Sequence, residues 1–479
     1  MARSLLKLLG YGLLLLLVLL VILYAVFLGL MTITEKRWLG DAPFHAAIDS
    51  RSVQPHELTL IDGGAQSLAY RLSAIEAAKQ SLDLEFFIYE LDASSRIVTQ
   101  ALVAKAREGV RVRILVDFSV AVFELRPAYA QALESAGVDV RYYNTASVAR
   151  FFSVQHRTHR KMLIADGEIA IIGGRNIADP YFDLSGQYNF LDSDVLVRGE
   201  VVQAMQESFD LYWDSPWAEI PDDVAPPAKT DNHPALRKAS TFFATNESDA
   251  ALRQRVGLLP ADLPSHICSD VRFVTDYPGV GLQNRKVYGA ITEVLGGAQS
   301  QVIAESPYFV LREDGLNALR SLTERGVALT VLTNSLHSTD AYYTVGPLYF
   351  SLHTLADAGL RLFAYTGQAP QTTAQFPGSK RWGVHSKRAV IDDHTVMIGT
   401  YNIDPRSANL NAEMMIVCYD SPSLATQMAI DLNSRIANAE PVVDRGEVQS
   451  SNLIGAANWR SLALMGLVTP VASLFNVLL

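Results

Sequence analysis

The chain has 479 residues, 49% of them apolar, which exceeds one ordinary domain and leads us to expect two domains plus extra segments. Forty Lys and Arg stand against fifty Asp and Glu, a net charge of −10, so bulk charge argues against an extended nucleic-acid face and any anionic substrate must meet local positive charge. The two cysteines, Cys268 and Cys418, lack metal-ligand spacing; Cys418 follows Met414-Met415-Ile416-Val417 and reads as a buried strand residue rather than half of a disulfide.

From Leu8 to Ile33 the chain runs 26 residues without a charge. As a helix this is about 39 Å long, enough to cross a hydrocarbon core of ~30 Å. It is longer than the apolar part of a cleaved signal peptide, so residues 1–34 are expected to be a transmembrane anchor. Arg3 and Lys7 before the span, against Glu35, Lys36 and Arg37 after it, tip the amino terminus inward. That orientation puts the body of a bacterial protein on the periplasmic face of the inner membrane.

Ser81 to Tyr89 reads as a strand, residues 95–108 as a helix, and Gly109 to Asp117 as a second strand whose alternating apolar and basic residues follow a helix-closing glycine. The same order returns near Val302–Glu305, 314–325 and Gly326–Thr333, and LESAGVDVRYYN (133–144) reappears as LADAGLRLFAYT (355–366). These offsets of 217 to 222 residues indicate a duplicated α/β domain. The expected division is 35–215, a Pro-containing connector over 216–266, a second copy over 267–435, and a tail over 436–479.

The third repeated block is HRKMLIADGEIAIIGGRN (159–176) against HSKRAVIDDHTVMIGTYN (385–402). Both contain His-x-Lys-x4-Asp, giving His159, Lys161 and Asp166, and His385, Lys387 and Asp392. Both place an asparagine, Asn176 or Asn402, seventeen residues after the histidine. On a strand, His and Lys two apart share a face while the residue between points away. Asp166 and Asp392 sit in turns, where shaping the hairpin is an alternative to proton transfer. A Gly pair, or Gly399-Thr400, then lets backbone come close to a ligand. Basic and aromatic residues lead into each motif: Arg150-Phe151-Phe152 to His156-Arg157, and Lys380-Arg381-Trp382. Residues 461–479 carry no charged side chain and include Pro470, so three placements stay open: spanning, lying in the membrane interface, or packed on the protein.

The paired motif resembles that of the phospholipase D superfamily, the HKD motif. Gly173-Gly174-Arg175-Asn176, Ser306-Pro307-Tyr308-Phe309 and Asn402-Ile403-Asp404-Pro405-Arg406-Ser407, with Asn411 and Glu413, are similar to the cardiolipin synthase branch. Thr400 departs from the usual Ser and keeps the hydroxyl. The resemblance implies two tandem α/β domains, each a mixed sheet flanked by helices, related by a pseudo-two-fold with one active site at their interface. It implies a phosphatidyltransferase of phospholipid biosynthesis that works without metal or cofactor. The phospholipid substrates would be phosphatidylglycerol, with phosphatidylethanolamine as an alternative, and no nucleic acid. Hydrolysis to phosphatidic acid is the nearest rival, and a non-catalytic membrane scaffold the alternative of another class.

Within that chemistry His159 is the expected nucleophile and His385 the acid and then the base. Lys161, Lys387, Asn176 and Asn402 hold the phosphate oxygens. Asp194 and Glu413 are expected behind the two imidazoles, with Asp192 a less favoured substitute. Imidazoles near the reference pKa of ~6.5 predict a bell-shaped rate profile around neutrality.

Overall fold

A computed structural model describes residues 2–41, 48–118, 125–147, 150, 153–225, 234–244, 246–259, 262–281, 285–370 and 380–474. The helix Ala2–Asp41 is about 60 Å long at 1.5 Å per residue. Its segment Gly10–Phe27 is long and apolar enough to cross a membrane, and Leu14 to Leu23 are exposed. This is the profile of a membrane anchor.

Seven strands of each half correspond one to one. In the first half they are β1 (His56–Ile61), β2 (Ser81–Phe86), β3 (Arg111–Asp117), β4 (Val138–Tyr143), β5 (Met162–Ala165), β6 (Ile169–Gly173) and β7 (Asp194–Arg198). In the second half they are β8 (Val271–Thr275), β9 (Gln301–Glu305), β10 (Ala328–Asn334), β11 (Arg361–Tyr365), β12 (Arg388–Ile391), β13 (Thr395–Gly399) and β14 (Met414–Cys418). The spatial orders are β4-β3-β2-β5-β6-β7-β1 and β11-β10-β9-β12-β13-β14-β8. Three parallel strands joined by crossover helices thus give way to an antiparallel run in both halves. Local chemistry sets these units. Asp92 and Ser95 form a capping box at the helix Ala93–Arg107, and Gly109, at φ +90°, supplies the left-handed residue after its end.

The sheets pack inner face to inner face. Leu58, Met162, Ile164, Val195 and Val197 meet Val390, Val396, Ile398 and Ile416, with the helices Val201–Trp213 and Pro422–Ala437 closing the flanks. The opposite faces carry the crossover helices and form two separate cores.

The outermost strand beside β1 and its counterpart beside β8 are exchanged between the halves. Asp49–Ser52, just before β1, pairs with β8 of the second sheet, and Ser265–Cys268, just before β8, pairs with β1 of the first. Arg51 with Asp270 (2.6 Å) and Arg272 with Asp49 (2.7 Å) tie the exchange. The reading of the cysteines is corrected here as well. Cys418 is a buried strand residue as expected, but it is also disulfide-bonded to Cys268, Cα–Cα 5.9 Å across 150 residues. Cys268 ends its strand on the first sheet, and three residues on Val271 pairs with Cys418 in the second, so the bond joins the two sheets.

Between the repeats, the helices Pro234–Phe243 and Glu247–Gly257 pack on the first half, Phe242 and Phe243 standing edge-on to Tyr129. Pro226, Pro227 and Thr245 lie outside the described residues. After the second repeat, Ala439–Asp444 and Glu447–Val448 extend the second sheet beyond β11. The apolar tail forms one helix, Trp459–Leu474, running through Pro470. It lies on the helix Tyr342–Asp357 so tightly that a Cβ on Gly346 would stand 1.9 Å from Thr469 Oγ1. Its other side exposes Trp459, Leu464 and Leu467. The packed placement is therefore the one observed, with an apolar flank left over; residues 475–479 lie outside the described part.

Candidate active site

His159 and Lys161 precede and abut β5, and His385 and Lys387 precede β12. All four side chains are buried. The intervening residues turn the other way, as strand alternation requires. Arg160 pairs with Glu85 at 3.0 Å and lies over the Tyr212 ring, and Ser386 accepts a hydrogen bond from Arg435 at 3.0 Å.

The two motifs are brought together by main-chain pairing. His159 N–H donates to Ala412 O and Ala412 N–H to Arg157 O, while His385 N–H donates to Leu191 O. Arg381–Val384 pairs in parallel with Tyr188–Leu191. Each imidazole is then held by a carboxylate from the other half. His159 Nδ1 donates to Glu413 at 3.0 Å, and His385 Nδ1 donates to Asp192 at 2.6 Å. A carboxylate can only accept here, so both Nε2 atoms are left as the reactive nitrogens.

The expectation for Asp194 is thereby corrected: Asp192 orients His385. Asp194 instead accepts from Ser67 (2.6 Å), Arg71 (2.8 Å) and Arg175 (3.1 Å), two fully buried guanidinium groups among them. Strand register explains this. Asp194 lies opposite Gly173, as Met415 lies opposite Gly399, so the position matching Glu413 is two residues before Asp194. The glycines serve this approach rather than a ligand: a Cβ on Gly174 would stand 2.1 Å from Asp192 Oδ1.

Glu413 collects further donors, from Thr400 Oγ1 at 2.6 Å and Ser407 Oγ at 2.7 Å, and its carboxyl is held below the usual range against the effect of burial. Thr400 thus supplies the hydroxyl expected of it. Asn176 takes the Ile88 N–H at 3.0 Å and is hydrogen-bonded to the Tyr181 hydroxyl. The side-chain oxygen of Asn402 is buried without a partner among the described residues.

Asp166 and Asp392 stand at the far ends of their hairpins, seven residues from the histidines and so up to ~23 Å along an extended strand. Each accepts three backbone N–H groups, those of Lys79, Gln80 and Ser81 or of Gln299, Ser300 and Gln301. They anchor hairpins and touch neither imidazole. The basic approach residues are also engaged structurally: Arg157 pairs with Asp117 at 3.3 Å, and Arg150 bonds Pro216 O and lies over Trp217. Arg381 donates to His337 O and lies over Tyr188, beside buried Trp382. Phe151 and Phe152 are outside the described residues.

Aromatic rings wall the site, Phe87 edge-on to His159 at 5.3 Å and Tyr181 and Phe190 against His385 at 5.2 and 4.8 Å. They were not singled out from the sequence, although Phe87 lies in the FFIYE run that matches Ser306-Pro307-Tyr308-Phe309. Burial pushes His159 down to about 4 and His385 down to about 3; the lysines add to the fall and the carboxylates oppose it. Burial also lowers Lys161 well below its ordinary value and brings Lys387 to about 8. Each lysine is felt by the opposite histidine, which makes this one electrostatic site. Two Nε2 atoms, two lysines and two fixed carboxylates thus converge on one buried polar site whose lysines suit an anion.

Comparison with known proteins agrees with this architecture. The family model described as "Cardiolipin synthase, PLD-like domain" matches residues 72–213 and 291–436. Cardiolipin synthase C of Escherichia coli K12 is 28% identical over 400 residues, covering 76% of this chain and 81% of that protein. Cardiolipin synthase A of Pseudomonas putida GB-1 is 29% identical over 391 residues, covering 81% and 70%. Among solved structures, phosphatidylserine synthase of Haemophilus influenzae Rd KW20 shares the fold with a TM-score of 0.63 at 14% identity, over 94% of this chain and 100% of that one.

Proposed function

The chain belongs to the cardiolipin synthase, phospholipase D-like family and is an enzyme of the phospholipid-transfer or phosphodiesterase type, and from that membership we propose a phosphatidyltransferase that works through a phosphohistidine. The observation that carries the proposal is the crossed pairing of His159 with Glu413 and His385 with Asp192. Each repeat completes the other's histidine, so the functional unit is 35–215 and 267–435 together.

In this reading the donor phosphodiester sits between Lys161 and Lys387, with Asn176 and Asn402 beside its non-bridging oxygens. His159 Nε2 attacks phosphorus as the bond to the leaving alcohol oxygen breaks, and His385 Nε2–H gives that oxygen its proton. The acceptor hydroxyl then loses its proton to His385, its oxygen bonds phosphorus, and the His159 nitrogen leaves. The bound phosphodiester's negative charge offsets the burial that disfavours the cations, so with both lysines charged against the two carboxylates one further proton balances the phosphate, and His385 holds it. The protein's own groups keep both imidazoles neutral near pH 7, and the substrate's charge supplies the opposing pull.

Phosphatidylglycerol is the proposed donor and acceptor, giving cardiolipin, with phosphatidylethanolamine as an alternative donor. The location proposed is a bacterial inner membrane with the body on the periplasmic face, supported by the anchor helix and by a disulfide, which persists on the oxidising side.

The test is to incubate the purified protein in vesicles with labelled phosphatidylglycerol and phosphatidylethanolamine, beside a His159→Asn variant. Cardiolipin from the parent alone supports transfer, phosphatidic acid alone replaces it with hydrolysis, and no lipid product refutes both. Label retained on acid-quenched protein would count against the phosphohistidine, because a P–N bond is acid-labile whereas base-quenched label is expected.

A further inference from the structure

The two repeats differ in one respect that bears on substrate. In the first, the helices Gly64–Ala77 and Ala93–Arg107 bury nine and seven residues between their sheet and the covering helices Pro234–Phe243 and Glu247–Gly257, for which the second repeat has no counterpart among the described residues. Their counterparts in the second, Lys286–Gly296 and Glu313–Glu324, bury three and two. Beneath the second pair lies a cavity of about 400 Å³, walled by Ile291, Leu295, Leu319 and Leu322.

Register shows how it is made. The cross-strand pair Leu84↔Leu163 of the first sheet corresponds to Ala304↔Ala389 of the second, and Phe86 to Ser306. Leu84, Leu163 and Phe86 are buried in the first core. Ala304, Ala389 and Ser306 form the floor of the cavity. Three large apolar side chains are replaced by small ones at matched positions, where close packing is the norm for a protein interior.

The cavity also has a direction. Lys387 lies on the same strand face as Ala389 and forms part of the lining, so an apolar chamber reaches the side chain whose ammonium is bonded to His385. The other charged groups there are already partnered: Arg388 with Glu305 at 2.7 Å, Arg325 with Gly296 O at 2.9 Å, Arg312 with Asp314 at 3.2 Å, and Asp404 with the Ser407 N–H at 2.7 Å. Its volume falls within the ~300–1,000 Å³ typical of small-ligand sites.

We propose that this cavity binds an acyl chain of the phospholipid whose phosphate is held by Lys387. The inference rests on the phospholipid reading of the site and adds where the lipid's tail goes. A chain there would make turnover depend on acyl length, by about fourfold in kcat/KM per methylene buried.

The test restores the first repeat's side chains with Ala304→Leu and Ala389→Leu, both in the cavity floor and neither one of the paired histidines, lysines or carboxylates. Parent and variant are assayed on dihexanoyl and dioleoyl phosphatidylglycerol, with unfolding midpoints measured alongside. The parent is expected to prefer the long-chain lipid on the order of a hundredfold, for three to four methylenes held. The variant is expected to lose that preference while keeping short-chain turnover within about twofold and an unfolding midpoint no lower. An unchanged chain-length ratio in a folded variant overturns the proposal. A photoreactive phosphatidylglycerol with its label at the acyl terminus gives a second readout that needs neither turnover nor the variant. Labelling of peptides spanning 288–331 or 387–415 supports the pocket even if no lipid is turned over, in which case the activity reading alone fails; labelling confined to other peptides overturns the pocket whatever the activity.

Discussion

Substituting Asp192 by Asn tests the crossed carboxylates most directly. Asp192 Oδ1 accepts the Ser193 N–H at 2.8 Å and Oδ2 accepts His385 Nδ1–H at 2.6 Å. Asn keeps shape and can still accept one of these, so the loss is the charge on the bond to imidazole. Charge-assisted bonds contribute about 1.5–3 kcal/mol and neutral ones about 0.5–1.5. A difference of roughly 1–2 kcal/mol is about 5- to 30-fold, and burial pushes it toward the top of an expected 10- to 100-fold fall in kcat. Asp192 also raises the His385 pKa. Without its charge the imidazolium is harder to form, and the limb that reports it moves to lower pH. Asp194→Asn is the control: it removes the carboxylate with which buried Arg71 and Arg175 both pair, a defect of about 3–5 kcal/mol that lowers the unfolding midpoint. Rates are measured by chromatographic separation of labelled lipid products over pH 5–9, with denaturant unfolding in parallel. Parental kcat and pH profile in Asp192→Asn, beside a folded but inactive Asp194→Asn, would refute the assignment.

Lys387 at about 8 predicts that kcat/KM falls as pH rises through that value, since the cation beside the phosphate is lost; Lys387→Arg keeps its charge and should shift that limb upward by more than one pH unit at a lower maximum. Removing the disulfide with Cys268→Ser and Cys418→Ser opens a 150-residue loop and should cost about 2–4 kcal/mol of stability in denaturant melts, with kcat/KM within about twofold of the parent. Asp166→Ala and Asp392→Ala each strand three backbone N–H groups at partly exposed hairpins. They should lower the unfolding midpoint by an amount equivalent to about 1–3 kcal/mol and leave the pH profile unmoved, whereas a shifted pH profile would place these carboxylates in the chemistry.

What was legible in the sequence is what is carried by local spacing. His-x-Lys with its asparagine seventeen residues on survives as two strands and a turn in each half, and the strand–helix–strand units appear within a few residues of their expected bounds. What was not legible depends on pairing across distance. Asp192 and Asp194 are two apart on one chain, so alternation assigns them the same face and cannot choose between them. The choice is made by β6 and β7, whose register places Asp192 sixteen residues after Asn176 where Glu413 stands eleven after Asn402. Asp49–Ser52 has no apolar rhythm at all; its place is set by β8 and by two ion pairs with residues more than 200 positions away. Cys268 meets Cys418 because Val271, three residues on, is the strand partner of Cys418, which no spacing rule for cysteines would find. Small residues such as Ala304 and Ala389 carry no signal by themselves. They become informative only when register sets them beside Leu84 and Leu163, and then the difference between two copies of one fold marks where duplication has been turned from symmetry toward a site. That gives a general expectation for a doubled enzyme with a single asymmetric substrate: the catalytic groups stay matched across the repeats, because both sides of phosphorus need them, while the packing around them diverges on the side where the rest of the substrate must lie.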